Sequence, residues 1–331
     1  MKIPDGKLVS TEDNEIPEGA ESGVFESSDD RLLRYAIWPA LGDARKGTVC
    51  LFQGRGEFIE KYYETVNDLR ARGYAVAALD WRGQGGSGYT KRKFLDSYVG
   101  TFEEYEDDLI TFMRFIVLPD CPPPYHAIAH STGGLVMASV LQRRTWFEKV
   151  IITAPLLQLA SRTIPWRGVQ FFAGFLTAVG FGGLSLPGRK ARSFVSTPFY
   201  DNPFTSDEER FNRIKEVAQT HSFLSAKRPR IGWLHAAFRA MSHARAVPAK
   251  SELCSPVMII SSRRDQVVNR DAAEEFANRI GNATNIVIDG ARHELLMERD
   301  ELREQFWAAF DSFFEDIQPG TAKPQMREKA A

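Results

Sequence analysis

Short apolar runs alternate with amphipathic stretches along most of this chain. Seven runs have the length of strands: Leu33–Trp38, Gly47–Phe52, Ala75–Leu79, His126–His130, Val150–Thr153, Val257–Ser261 and Asn285–Ile288. Most are unbroken rather than alternating in polarity, the pattern of strands covered on both faces. Thr101-Phe-Glu-Glu104 has the form of a capping box and predicts a helix running to about Phe115. Asp271–Ile280 and Arg299–Phe314 carry apolar residues at helical spacing. Strands and helices in alternation predict an α/β domain on a mostly parallel sheet.

The alternation stops between about Leu156 and Val247, where no strand pattern appears and several helices are expected, one of them begun through Ser206-Asp-Glu-Glu209. The pattern predicts a core over 31–155 and 248–317, with a helical cap inserted over 156–247 at the C-terminal edge of the sheet. Residues 1–30 form an expected N-terminal extension and 318–331 an expected tail. Residues 168–188 hold no charge, but six glycines, a glutamine and a proline argue against a membrane-spanning helix there.

Composition narrows the class without naming a chemistry. The chain has 331 residues, 43% hydrophobic and 26% charged, as in ordinary globular proteins. A formal net charge of -1 gives no electrostatic case for nucleic acid. The three cysteines, Cys50, Cys121 and Cys254, are widely separated, and such sparse usage suits a reducing compartment. The charged N-terminus lacks the apolar core of a secretory signal, so a cytoplasmic location is expected.

The sharpest chemical signal is Ser131. It ends the apolar run of Ala129-His-Ser-Thr-Gly-Gly134 and stands directly before a helix-forming segment. A tight strand-to-helix turn needs small neighbours because its backbone is strained and crowded, and Ala129, Gly133 and Gly134 supply them. Such a turn lifts a serine hydroxyl clear of the sheet, the arrangement of a nucleophile in acyl transfer.

A serine nucleophile needs a base and a group that orients the base. Of the six histidines, His293 follows the last strand, in Asp289-Gly-Ala-Arg-His-Glu-Leu295, and is the expected base. His130 adjoins Ser131, so its side chain should diverge from the hydroxyl; His221, His235 and His243 fall in the cap or at its exit. Asp265, after the run ending at Ser261, is the expected acid, with Asp289 as its rival. Backbone N–H groups of Thr132 and of Arg55, in Gln53-Gly-Arg-Gly-Glu57, are the expected oxyanion donors. Gly83-Gln-Gly-Gly-Ser-Gly88 fits a dinucleotide fingerprint, but Tyr89–Lys93 reads as loop where a helix should begin.

Taken in order, Gln53–Glu57, Asp80-Trp-Arg-Gly-Gln-Gly-Gly-Ser-Gly88, Ala129–Gly134, Asp265 and His293 resemble the α/β-hydrolase superfamily. More narrowly they are similar to the monoacylglycerol lipase and bacterial lysophospholipase group, over about Leu33 to Phe314. Two positions depart from its pattern: Gln53 stands where His is frequent, and Ala129 where Gly is usual. The resemblance implies an α/β-hydrolase fold with an inserted cap. It also implies hydrolysis of a lysophospholipid or monoacylglycerol by Ser131, His293 and Asp265, without metal or organic cofactor. Phe171, Phe172, Phe175 and Leu176 of the cap are then expected to line an acyl pocket, and the cap to touch a membrane surface peripherally, on its inner face. The alternatives are a serine esterase or thioesterase for a non-lipid substrate, a non-catalytic binding protein on the same fold, and a nucleotide-dependent oxidoreductase.

Overall fold

Unbroken apolar strands need cover on both sides, and the chain provides it. The computed structural model describes residues 5–42, 45–88, 98–160, 166–186, 197–225 and 228–315. Its centre is an eight-stranded sheet in the order β1-β2-β4-β3-β5-β6-β7-β8. The strands are β1 Glu21–Glu26, β2 Leu32–Trp38, β3 Thr48–Phe52, β4 Ala75–Leu79, β5 Tyr125–His130, β6 Lys149–Thr153, β7 Val257–Ser262 and β8 Ala283–Ile288. β2 pairs antiparallel with β1 and β4, and every other pairing is parallel. With the flanking helices this is the α/β-hydrolase fold.

The helices are α1 Tyr63–Ala71, α2 Glu103–Phe112, α3 Leu118–Asp120, α4 Thr132–Val140, α5 Trp166–Ala178, α6 Glu208–Thr220, α7 Ile231–Arg245, α8 Arg270–Arg279 and α9 Asp300–Glu315. Successive strand side chains divide between two apolar cores, as a period of two requires. Cys50, Phe52, Ala127, Ala129, Ile152 and Ile259 pack with residues of α2, α4, α7 and α8. Val49, Leu51, Ile128, Ile151 and Ile260 pack with α1 and α9. α5, α6 and α7 come from the stretch between β6 and β7, which holds no named strand among the described residues. No helix among the described residues is long and apolar enough to cross a membrane.

Several boundaries differ from the expected ones. β1 was not signalled by hydrophobicity: it is an edge strand in which only Phe25 is buried, so its apolar pattern is too sparse to read. α2 begins one turn position later than the box suggests. Glu104 reaches back to the N–H of Thr101 (3.1 Å), but the N-cap residue is Phe102 and offers no side-chain cap. A π-helical turn, Met113–Val117, then carries the helix on into α3, past the expected end at Phe115. α6 is capped by Asp207, whose Oδ1 accepts from Arg210 N (2.8 Å), while the Ser206 hydroxyl is taken by Glu298. The expected tail over 318–331 and the segment Tyr89–Lys93 lie outside the described residues.

Candidate active site

The sheet order places a crevice where chemistry can happen. From β3 the chain moves to β4 on one side and later to β5 on the other, so the loops leaving β3 and β5 diverge at neighbouring C-terminal ends. Ser131 leaves β5 there with φ 50°, a left-handed conformation that costs a non-glycine residue about 1–3 kcal/mol. Three backbone bonds hold it: Ser131 N to Thr153 O (2.9 Å), Leu135 N to Ser131 O (3.1 Å) and Leu156 N to Ser131 O (3.0 Å). Small neighbours are obligatory. A Cβ on Gly133 would collide with the Phe52 carbonyl oxygen, and one on Gly134 would lie 2.6 Å from Ile152 Cγ2.

The structure brings Ser131, His293 and Asp265 together. His293 Nε2 lies 3.2 Å from Ser131 Oγ, and His293 Nδ1 lies 2.7 Å from Asp265 Oδ2. An ionised carboxylate only accepts, so Nδ1 carries the proton and Nε2 is left to receive one from the serine. The other carboxylate oxygen of Asp265 accepts from Val267 N (2.7 Å) and Val268 N (2.9 Å), which fixes its plane. All three side chains are buried. The rival Asp289 is exposed and pairs instead with Arg263 at 2.9 Å.

Burial alone would lower the basicity of His293, but Asp265, and then Glu294 and Glu57, outweigh it and raise the pKa above the usual imidazole value. His130 Nδ1 is hydrogen-bonded with Thr153 Oγ1 (3.0 Å), and its ring packs 4.8 Å from that of His293.

Thr132 opens α4, where a first-turn N–H has no partner within the helix. The loop of Arg55 is tied to the same elbow, since Gly133 N donates to Gln53 O (3.1 Å). The Arg55 guanidinium lies over the Trp233 ring of α7 at 4.8 Å. Gln53 Nε2 donates to Asp80 Oδ1 at 3.3 Å, so this departure from the group's usual His is absorbed by an internal carboxylate.

The glycine loop Gly83–Gly88 wraps an anion that belongs to the protein. Gly86 N donates to Asp80 Oδ2 (2.7 Å), and a Cβ on Gly85 would run into the same carboxylate. Asp80 is itself neutralised by the buried Arg34 at 2.6 Å. The loop amide that a pyrophosphate would need is therefore committed.

Of the four residues expected around an acyl chain, Phe172 and Leu176 line an apolar cavity of about 320 Å³ with Val169, Ala173, Ile231 and Leu234. Phe171 and Phe175 do not line it. Phe171, Phe172 and Phe175 are all more than half exposed, at 70%, 64% and 54%, so only Leu176 of the four is covered.

Sequence reasoning gave no role to Glu57, Lys61 and Glu294, which are buried with His130 beside His293. The available signal was a carboxylate in a glycine loop and another directly after the base. Glu57, His130 and Glu294 offer ligand atoms within 4.8 Å of one another, a spacing open to a metal ion. The Lys61 ammonium already lies between the two carboxylates, 3.1 Å from Glu57 and 2.5 Å from Glu294, so the cation there is the protein's own.

The family model described as serine aminopeptidase, S33, matches residues 43–300. Lysophospholipase L2 of Escherichia coli is 26% identical over 315 residues, covering 89% of this chain and 87% of that protein. Among solved structures, a soluble variant of monoglyceride lipase from Saccharomyces cerevisiae superposes with a TM-score of 0.70 at 18% identity, covering 89% of this chain and 96% of that one. Monoacylglycerol lipase from Paleococcus ferrophilus gives 0.65 at 20% identity, covering 86% and 98%. At these identities the structural likeness is one of fold.

Proposed function

The chain belongs to the serine aminopeptidase S33 family of hydrolases, and from that premise we propose that it cleaves carboxylic esters of lipid-like substrates, lysophospholipids or monoacylglycerols, through an acyl-enzyme on Ser131. The observation that carries this reading is the file of hydrogen bonds from Ser131 Oγ through His293 to Asp265, at 3.2 and 2.7 Å. Ser131 Oγ attacks the ester carbonyl while His293 Nε2 takes its proton, and Asp265 stabilises the imidazolium. The N–H groups of Thr132 and Arg55 receive the oxyanion. Collapse expels the alcohol, protonated by His293, and a water deprotonated by the same ring releases the fatty acid.

The lipid class is supported by the named lysophospholipase relative and by the apolar cavity that Phe172 and Leu176 line. We read residues 156–247 as a cap over the crevice, and its exposed Phe171, Phe175, Phe181 and Leu184 as a peripheral contact with the inner face of a membrane. The family description also raises peptide cleavage. A series of nitrophenyl esters of increasing acyl length, beside an aminoacyl nitroanilide, separates the readings. kcat/KM should climb with acyl length, and Ser131→Ala should lose about 10⁴-fold or more. A preference for acetate or for the anilide refutes the lipid assignment.

A further inference from the structure

Two carboxylates and one ammonium are sealed beside the histidine. Lys61 lies on the 3₁₀ turn Ile59–Tyr62, just after the loop of Arg55, and Glu294 directly follows His293. Lys61 Nζ donates to Glu294 Oε2 at 2.5 Å and lies 3.1 Å from Glu57 Oε1. Glu57 Oε2 in turn accepts from Gly54 N (2.8 Å) and from the Tyr62 hydroxyl (2.6 Å). His130 Nε2 lies 3.3 Å from Glu294 and 3.6 Å from Glu57. One ammonium thus joins the loop after β3 to the loop after β8, across 233 positions of sequence.

We propose that Lys61 is a positioning residue, whose ammonium clamps the Arg55 loop to the His293 loop and sets how readily the imidazole takes and gives up its proton. The inference rests on reading His293 as the general base. The charged and titratable groups around that ring are Asp265 from the loop after β7, Glu57 and Lys61 from the segment after β3, His130 from β5, and Glu294 from its own loop. Burial would push the Glu294 carboxyl up, yet Lys61 and the neighbouring histidines hold it well below the ordinary range, so it stays ionised. Glu57 and Glu294 both favour the imidazolium, and the Lys61 ammonium held against those two carboxylates has the opposite charge and so opposes their pull. Removing the ammonium therefore strengthens the imidazolium, and removing one carboxylate weakens it.

The test is the pH profile of kcat/KM on a soluble nitrophenyl ester. Each variant is first checked for fold by circular dichroism and for Ser131 labelling by a fluorophosphonate. Lys61→Met should move the acid limb up by about 1 pH unit, Glu294→Gln should move it down, and Lys61→Arg should return it to the wild-type position. A purely structural role lowers activity at every pH and leaves the limb in place. An unmoved limb, or shifts of the same sign in Lys61→Met and Glu294→Gln, overturns the proposal. Should Lys61→Met fail to fold, Glu294→Gln decides alone: a downward shift supports the clamp, and no shift overturns it. A wild-type protein that fails to label refutes the base assignment instead, which keeps the two failures apart.

Discussion

At the scale of single residues, the site depends on groups that tolerate no near substitute. Asp265 accepts two backbone N–H groups through Oδ1 and the His293 Nδ1–H through Oδ2. Asp265→Asn keeps the size, but its amide presents a donor toward Nδ1 and so favours the wrong imidazole tautomer. The expected result is a fall of about 10⁴-fold in kcat with little change in thermal midpoint, read by steady-state kinetics beside a melting curve. Gly133→Ala fails for another reason, since its methyl would meet the Phe52 carbonyl oxygen and the Gln53 carbonyl oxygen that anchors the elbow. It should lower stability by about 2 kcal/mol or more in urea titration and reduce labelling of Ser131 as well. Ser131, His293 and Asp265 were readable because each follows an apolar run at one sheet edge. Lys61 and Glu294 were not, because nothing in a linear sequence says that a charge 233 positions away lies in the same buried pocket.

At the scale of elements, the long parallel strands were legible and the edge was not. β3 and β4 are buried on both faces and read as unbroken apolar runs, whereas β1 buries little more than Phe25 and gives no such signal. Helix starts also escaped local rules, since tertiary partners claim the capping groups: Glu298 takes Ser206, and Asp207 caps in its place.

One strand carries a pH liability. His126 on β5 is buried between Tyr74 and Phe314, its Nδ1 has no hydrogen-bond partner, and burial first and then Lys149 lower its pKa to about 4. The folded value lies below the unfolded one, so the unfolded chain binds the proton first as pH falls. The contribution is whole above about pH 6.5 and is lost between there and about 4, amounting to about 3 kcal/mol at most. His126→Phe should flatten urea midpoints across that window, whereas an unchanged pH dependence would assign it to other groups.

At the scale of the whole molecule, one sheet edge collects the loop of Arg55, the elbow of Ser131, the loop of Asp265 and the loop of His293. The order of the strands was not deducible from periodicity, because apolar runs do not record which neighbour they pair with. Phe181 and Leu184, which follow α5 in the chain, are exposed. If these side chains meet lipid, Phe181→Ser with Leu184→Ser should weaken cosedimentation with phosphatidylcholine vesicles about tenfold or more while hydrolysis of a short soluble ester persists. Equal vesicle binding would remove the membrane contact and leave the chemistry untouched.

The central claim is that one alcohol, among all the serines, is made nucleophilic by its histidine. The most direct measurement is fluorophosphonate labelling of the whole protein followed by peptide mapping. The expected result is one label per chain, on the peptide containing Ser131, and labelling slowed by orders of magnitude in His293→Ala. Labelling at another serine, or equal rates in the two proteins, would contradict it.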